Sequence, residues 1–147
     1  MRIDGRWHLF KDGILRPVVD AAVQGPSGTL HTVMFLLDAG ADRTVFDNTY
    51  LPLLFPLALS SEETPELGGV GGKVECIFIR SRLAFASTEG KRITVQGPYG
   101  VFSEQGRSDV SILGRDVTNN FDVIYSYPTR QVILLAQPHG FDVYFQR

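Results

Sequence analysis

The sequence has little that could tie the fold together covalently or bind a metal ion. Its single cysteine, Cys76, forms no internal disulfide and fits a reducing compartment. We interpret Cys76 as a small, buried apolar side chain. The three histidines, His8, His31 and His139, lie far apart in the sequence. Because no clustered Cys/His set occurs, we predict no metal site.

The sequence also lacks a charged block and a long hydrophobic run. The formal net charge is -2, from 14 basic and 16 acidic residues, so nucleic acid is not an expected partner. The most apolar run, Leu51 to Leu59, contains two prolines and is too short to cross a bilayer. We expect it to form an irregular loop or a short helical turn on the core. Residues Met1 to Phe10 do not have the pattern of a signal peptide. We therefore predict a cytoplasmic chain without membrane contact; a membrane segment in a longer parent protein is the alternative.

What the sequence does contain is a series of short segments typical of β-strands. They are rich in Val, Ile, Leu, Phe and Thr and are separated by Gly, Pro, Asn or Asp, which predicts an all-β fold. We expect one domain over residues 1–147. The predicted strands are Ile14 to Val23, Thr29 to Leu37, Val74 to Ala86, Lys91 to Gln96, Val110 to Leu113, Phe121 to Tyr125 and Gln131 to Leu135. We expect loops over Gly97 to Asp109, helical turns over Val117 to Phe121, and an edge strand over Phe141 to Arg147.

One acidic residue, Asp38, stands in an unusual context. It directly follows Val33 to Leu37, a continuously apolar run that should be buried on both faces of its strand. An unpaired carboxylate is costly to bury. The small residues Ala39, Gly40 and Ala41 would let another backbone approach and leave amides free to point at the carboxylate. A turn aspartate that simply closes a strand is the alternative.

Asp38 belongs to the first of three sequence blocks that occur in a characteristic order. The blocks are Leu36 to Phe46, Leu67 to Gly72, and Ile112 to Asp116. They resemble, in turn, the active-site signature, the glycine-rich flap and the apolar-apolar-Gly-Arg-Asp block of the retropepsins, the retroviral-type aspartic proteases. Arg16-Pro17 before the first long strand also matches. The resemblance covers about Leu15 to Asn120, and it is the order of the blocks that makes it specific.

The resemblance implies a fold and a reaction. The fold would be all-β, a closed six-stranded-type acid-protease barrel, one retropepsin lobe, with a flap hairpin and one short helix. The activity would be that of an aspartic endopeptidase on a peptide or protein substrate, with no cofactor. Two facing carboxylates share one proton in such a site, and the ionised one activates a water. Asp38 is the only aspartate here in an Asp-Thr/Ser/Ala-Gly triplet. We therefore expect a homodimer with one Asp38 from each subunit on the two-fold axis.

The resemblance also assigns roles to residues near Asp38. The expected active-site loop residues are Ala39, Gly40, Ala41 and Asp42. The expected flap residues are Gly68, Gly69, Val70, Gly71 and Gly72. The flap would be a mobile lid that closes over a peptide bound as an extended strand. A plain tight hairpin is the alternative for these glycines.

Two further sets of residues are assigned by the same resemblance. Asp42 and Arg115 match a family pair that braces the active site, and Arg16 would join it across the dimer. Three surface charges of little energetic value are the alternative. The residues expected to line apolar substrate subsites are Leu36, Val45, Leu67 and Ile112. Each of these could equally be an ordinary core residue.

Ala39 departs from the family pattern. Most retropepsins have Thr or Ser there, and its hydroxyl bonds to the loop of the partner subunit. The loss of one such bond costs about 0.5–1.5 kcal/mol, so we expect a looser dimer with its chemistry retained. Three functions are thus open: an active homodimeric endopeptidase, a catalytically weak retropepsin-fold domain for dimerisation or peptide binding, and an unrelated ligand-binding β-barrel. The first explains all three blocks, Ala39 alone favours the second, and the third explains none of the blocks.

Overall fold

The computed structural model describes residues 1–60, 62–63, 76–103 and 110–144. Within these ranges the chain forms ten strands, two short α-helices and two 3₁₀ turns. The strands are β1 (Arg2–Asp4), β2 (Arg6–Leu9), β3 (Leu15–Gln24), β4 (Leu30–Leu37), β5 (Val45–Phe46), β6 (Cys76–Ala86), β7 (Arg92–Phe102), β8 (Ser111–Leu113), β9 (Phe121–Ser126) and β10 (Gln131–Ala136). The helices are α1 (Leu51–Leu54) and α2 (Arg115–Thr118), and the 3₁₀ turns are Asn48–Tyr50 and Phe55–Leu57.

Six of the strands close into a barrel. Neighbouring strands pair in the order β3-β4-β8-β5-β7-β6. A short antiparallel pairing of β3 with β6, at Ala22–Ala84 and Val23–Leu83, closes the ring. Closure pairs strand edges that would otherwise be exposed. The β2 strand adds to the outside of β3. The predicted fold class, mostly β with a closed six-stranded barrel, is confirmed.

Aromatic side chains fill the centre of the barrel. Phe35, Phe46, Phe85 and Tyr99 are almost completely buried. The Phe46 ring lies edge-on to Phe35 and Tyr99, with centroid distances of 5.3 and 6.3 Å. Such edge-to-face pairs stabilise a core beyond the area that they bury. The Tyr99 hydroxyl donates to the carbonyl oxygen of Val95 at 2.5 Å, which satisfies the polar atom that this ring brings inside.

The two ends of the described chain form a second sheet. Its order is β1-β10-β9, and both pairings are antiparallel. Ile3, Val132 and Leu134 from this sheet belong to the same buried cluster as the barrel residues. The predicted hairpin of the last two long strands is therefore present. It packs the chain ends against the barrel that carries Asp38.

The longest departure from the predicted strands is in β7. Loops were expected from Gly97, but β7 continues to Phe102 and pairs with β6 along its whole length. Gly100 and Val101 also pair with β5, in parallel. A Cβ on Gly100 would lie 3.2 Å from the Cys76 sulfur, so the glycine that suggested a loop instead permits close strand packing. Tertiary pairing has overridden the local preference.

Other expectations divide between confirmed and corrected. The apolar run from Leu51 forms α1 and a 3₁₀ turn, the short helical form that was one of the two expected. Its Leu54 is fully buried, whereas its Phe55 is exposed. The described chain has two short α-helices, whereas one was expected. Residues 141–144 are not a strand, so the predicted edge strand is wrong there. The predicted flap lies outside the described residues. None of the described helices is long and apolar enough to cross a membrane.

Candidate active site

Asp38 follows the last residue of β4, beside the end of β8. The preceding residue, Leu37, is 6% exposed, whereas Asp38 is only partly buried. The Asp38 amide donates to the carbonyl oxygen of Leu113 at 3.2 Å. The Gly40 amide donates to the Asp38 carboxylate, Oδ1, at 2.9 Å. Burial alternates along Val33 to Leu37, with Met34 and Leu36 only partly buried, so the expected burial of this run on both faces is wrong. The strand brings one carboxylate to the surface, where a backbone donor holds one of its oxygens.

The loop from Asp38 to Thr44 is held against the start of α2. The Arg115 amide donates to the carbonyl oxygen of Ala41 at 2.8 Å. The Asp116 amide donates to the carbonyl oxygen of Asp42 at 3.2 Å. Because these are backbone bonds between segments more than 70 residues apart, the loop has a defined shape even though Ala39 and Gly40 are exposed.

Hydrogen bonds between Thr44 and Asp116 hold the C-terminal end of this loop in place. The Thr44 hydroxyl donates to Asp116 Oδ1 at 2.7 Å, and it accepts from the Gly114 amide at 3.0 Å. The Thr44 amide donates to Asp116 Oδ2 at 3.0 Å, and the Val117 amide donates to Oδ1 at 2.9 Å. Hydrogen bonds to a carboxylate are roughly twice as strong as neutral ones. Both residues lie within the recognised blocks, but neither was a candidate, because sequence spacing cannot show that they bond.

Gly114 lets α2 begin directly against the active-site loop. A Cβ at this position would lie 2.5 Å from the carbonyl carbon of Arg43 and 2.6 Å from its oxygen. The backbone of Gly114 has an ordinary negative φ of -91°. Glycine is therefore required because two backbone segments approach too closely to leave room for a Cβ, and not because of an unusual backbone conformation.

Two of the three predicted bracing residues meet within one chain. The Arg115 guanidinium forms an ion pair with the Asp42 carboxylate, and both side chains are close to half exposed. Arg16 instead forms two hydrogen bonds to Asp12, at 2.6 and 3.1 Å, and lies over the Phe10 ring. These hydrogen bonds hold the pKa of the Asp12 carboxyl below its usual value. A contact from Arg16 to the other two residues across a dimer stays a prediction.

The candidate apolar subsites are in part adjacent. Ile112 pairs with Leu36 on one side and with Val45 on the other. Leu36 and Ile112 are partly exposed, whereas Val45 is 5% exposed and belongs to the barrel wall. Leu36 is two residues before Asp38, so its side chain emerges on the same face of the strand. The flap residues Gly68, Gly69, Val70, Gly71 and Gly72, and the fourth subsite residue Leu67, lie outside the described residues.

Tyr125 is a neighbour of Asp38 that sequence reasoning did not identify. It lies on β9 and is 42% exposed. Partial burial raises the pKa of its phenol, and the negative charge of Asp38 raises it further. The phenol therefore remains protonated at neutral pH and can donate a hydrogen bond. The strand was predicted, but its position beside Asp38 depends on how the terminal sheet packs.

Cys76 is a free thiol in the barrel wall. Burial raises its pKa to about 11, so at neutral pH it is a thiol and not the reactive thiolate. This agrees with its interpretation as an unreactive apolar side chain, but Cys76 is only partly buried, so the expected full burial is wrong. Across the ranges that the structure describes, no cluster of three or more His, Cys, Asp or Glu side chains could hold a metal ion.

Comparison with known proteins assigns the chain to a family. The model of the retroviral aspartyl protease family matches residues 15–124. This span runs from the first residue of β3 into β9 and contains Asp38, its loop and α2. The chain therefore belongs to the retroviral aspartyl protease family, and the resemblance based on the three sequence blocks is confirmed.

The fold is similar to that of a solved relative, a retropepsin-like aspartic protease from Rickettsia conorii. The two chains are 14% identical, with a TM-score of 0.56, over 91% of this chain and 89% of the other. At this identity the likeness shows a shared retropepsin-like fold. No curated protein sequence matches the chain.

Proposed function

We propose that this chain is an aspartic endopeptidase that hydrolyses peptide bonds as a homodimer, with one catalytic Asp38 from each subunit. The observation that carries the proposal is the placement of Asp38. Its carboxylate is partly exposed at the end of β4, in a loop that backbone hydrogen bonds hold in shape. Membership of the aspartyl protease family supports peptidase activity.

The need for a second subunit follows from the chemistry. A dyad requires two carboxylates that share a proton, and only Asp38 lies in an Asp-Ala-Gly triplet, directly after β4. The edge of β9 supports a place for the partner. Within the described chain β9 pairs only with β10, so a strand of the second copy can add to its other edge, beside Tyr125.

Within such a dimer the residues divide the work as follows. One Asp38 is ionised and removes a proton from the attacking water, while its protonated partner hydrogen-bonds the scissile carbonyl. The protonated group later helps to donate a proton to the leaving amine. Backbone groups of Gly40 and Asp42 would bind the substrate main chain. Leu36 and Ile112 would favour apolar side chains around the scissile bond.

The test compares the wild-type chain with Asp38→Asn on a mixed peptide library between mildly acidic and neutral pH. The matched control is Asp142→Asn, which removes an equal charge at an exposed position. We expect Asp38→Asn to lower kcat/KM by about 100- to 10,000-fold, the range for the loss of a general acid–base group, with the control unchanged. Equal cleavage by the wild type and Asp38→Asn would reject the proposal. A strictly monomeric active species in sedimentation would reject the paired-Asp mechanism.

The second candidate function is a catalytically weak domain for dimerisation or peptide binding. The observation that favours it is Ala39, which is exposed and carries no hydroxyl to bond the partner loop. The same experiment separates the two functions. If the wild type and Asp38→Asn dimerise and bind peptides equally, and neither cleaves them, the second function is correct.

A further inference from the structure

The arginines of the described chain differ in whether they have an ion-pair or aromatic partner. Four form ion pairs with aspartates, and a fifth lies over a tyrosine ring. These five are Arg2, Arg6, Arg16, Arg115 and Arg130. By contrast, Arg43, Arg80, Arg82 and Arg92 have no carboxylate partner in the described part of the chain. Of these four, Arg80, Arg82 and Arg92 lie together on the β6–β7 hairpin, in a chain whose net charge is negative.

The three arginines lie on one face of that hairpin. Along β6 the side chains alternate, and Ser81, Leu83 and Phe85 are buried while Arg80 and Arg82 are exposed. The outward positions of the two strands are Arg80, Arg82, Ala84 and Ala86 on β6, and Arg92, Thr94, Gln96 and Pro98 on β7. This face therefore has three positive charges and no negative one.

The next strand does not neutralise this face. The neighbouring strand β3 carries one outward acid, Asp20, and Arg6 already pairs with it at 2.6 Å. The nearest acid of the hairpin itself is Glu89, in the turn between β6 and β7. The positive charge on the hairpin is therefore available to a ligand.

Arg80 and Arg82 also line a cleft of about 370 Å³. The cleft arises because β6 pairs with β3 only at Leu83 and Ala84 and then diverges from it. The other residues that line it are Gln24, Gly25, Pro26, Gly28, Leu57, Ser81 and Gln96. The buried Ser81 hydroxyl donates to the carbonyl oxygen of Gln24 at 2.7 Å, which holds the β3–β4 turn as one wall. The volume of the cleft is within the range of ligand-binding clefts.

We propose that this cleft and the arginine face beside it bind an acidic peptide segment in an extended conformation. Arg80 and Arg82 are two residues apart on one strand, so their Cα atoms are about 6.6–6.8 Å apart. Alternate carboxylates of an extended peptide have the same spacing, and arginine pairs with carboxylates in a bidentate geometry. Arg92 continues the row further than a single small anion could reach. Gln24 and Gln96 offer amides to the peptide backbone.

This site is separate from Asp38. The cleft lies at the β3–β4 turn, whereas Asp38 lies at the opposite end of β4. The seven steps from Leu30 to Leu37 correspond to about 23 Å along a strand. A peptide bound at the cleft therefore leaves the Asp38 end free, and the site does not depend on the proposed peptidase activity.

The test measures the binding of a short fluorescent peptide of alternating Glu and Ser by anisotropy, at low and moderate salt. Its neutral counterpart has Gln in place of every Glu. We expect the acidic peptide to bind and the neutral one not to bind. Arg80→Gln/Arg82→Gln should weaken binding of the acidic peptide by at least about tenfold, and added salt should weaken it for the wild type.

The control is a double variant with the same change of net charge, Arg2→Gln/Lys11→Gln, at a partly exposed and an exposed position away from the cleft. A less than twofold effect of this control supports the proposal. Equal loss in both double variants would mean that only overall charge matters and would overturn it. Equal binding of the neutral peptide would overturn it as well. A single-stranded oligonucleotide that binds while the acidic peptide does not would replace the proposed partner with a nucleic acid.

Discussion

The two ends of the β3–β4 hairpin treat polar groups in opposite ways. At the Asp38 end, the protein itself provides their partners: Thr44 with Asp116, Asp42 with Arg115, and the backbone of the loop with α2. At the turn end, Arg80 and Arg82 face a cleft with no carboxylate in the described residues. The same barrel therefore has one end where most polar groups have partners within the chain, and another end where Arg80 and Arg82 have no carboxylate partner among the described residues.

This difference indicates what each end requires. A site that activates water needs its carboxylate in a fixed position, and internal hydrogen bonds supply that order before any ligand arrives. A site that captures a charged peptide needs free donors at its surface. Mutations at the Asp38 end should therefore lower the free energy of unfolding, whereas mutations at the turn end should lower the affinity for the acidic peptide.

The largest expected effect is that of Gly114→Ala. A Cβ there would overlap the backbone of Arg43 at 2.5 Å, and neither backbone segment can move without breaking the bonds around Thr44. We expect a loss of about 3 kcal/mol in the free energy of unfolding, at the upper end for overpacking. Urea denaturation measures it. Gly140→Ala, where a Cβ meets nothing within 4 Å, is the control, and equal stability of both variants would contradict the close approach.

Thr44→Val should have the next largest effect. It keeps the size of the buried side chain but removes the hydroxyl that bonds Asp116 and the Gly114 amide. Unsatisfied buried groups cost about 1–3 kcal/mol each, and we expect a loss of about 2 kcal/mol by urea denaturation. Thr44→Ser retains the hydroxyl and should lose less. If Val and Ser are equally destabilising, packing and not the hydrogen bonds holds the loop.

Ala39→Thr should strengthen the proposed dimer. The new hydroxyl could bond the partner loop, and each such bond contributes about 0.5–1.5 kcal/mol. We expect the dissociation constant of the dimer to fall by about tenfold, with two bonds per dimer. Sedimentation equilibrium measures it, and Ala39→Val is the control because it adds similar bulk without a hydroxyl. An unchanged dissociation constant for Ala39→Thr would contradict the role assigned to this position.

Asp12→Asn should have a small, pH-dependent effect on stability. Hydrogen bonds from Arg16 and the Ile14 amide lower the pKa of the Asp12 carboxyl. A lowered pKa stabilises the folded state above the unfolded pKa of about 3.9, and this contribution disappears as the pH falls through the folded value. The free energy of unfolding of the wild type should therefore be slightly larger than that of Asp12→Asn at neutral pH. At strongly acidic pH the two proteins should be equally stable. Denaturation at both pH values checks this. A difference that grows at acidic pH would contradict the assignment.

Much of the fold could be predicted from local pattern, because strands such as β4 end in a continuously apolar run, Val33 to Leu37, that is followed closely by recognisable small residues. The turn of the β9–β10 hairpin was likewise visible in Tyr127-Pro128-Thr129-Arg130. The end of β7 was not, since Gly97, Pro98 and Gly100 suggest a loop and only pairing with β5 and β6 makes them a strand. Local propensity is a weak guide wherever tertiary pairing decides.

The candidate site divides in the same way. Asp38 and its loop could be predicted because the relevant residues are consecutive. Thr44 with Asp116, and Tyr125 with Asp38, depend on contacts between segments more than 70 residues apart. The arginine cleft could not be predicted either, because it exists only where β6 diverges from β3. Sequence blocks identify residues, and the packing of strands decides which of them meet.

The smallest expected effect on stability is that of Arg80→Gln/Arg82→Gln. Both side chains are exposed and make no ion pair within the described ranges, so we expect a change of at most about 0.5 kcal/mol in the free energy of unfolding. Urea denaturation beside the peptide-binding assay measures both quantities on the same variant. Arg115→Gln is the comparison at the other end, where an exposed pair with Asp42 is lost and stability should fall by up to about 1 kcal/mol. If the cleft variant is the less stable of the two, its arginines hold the barrel together. The two ends of the hairpin would then not differ as described.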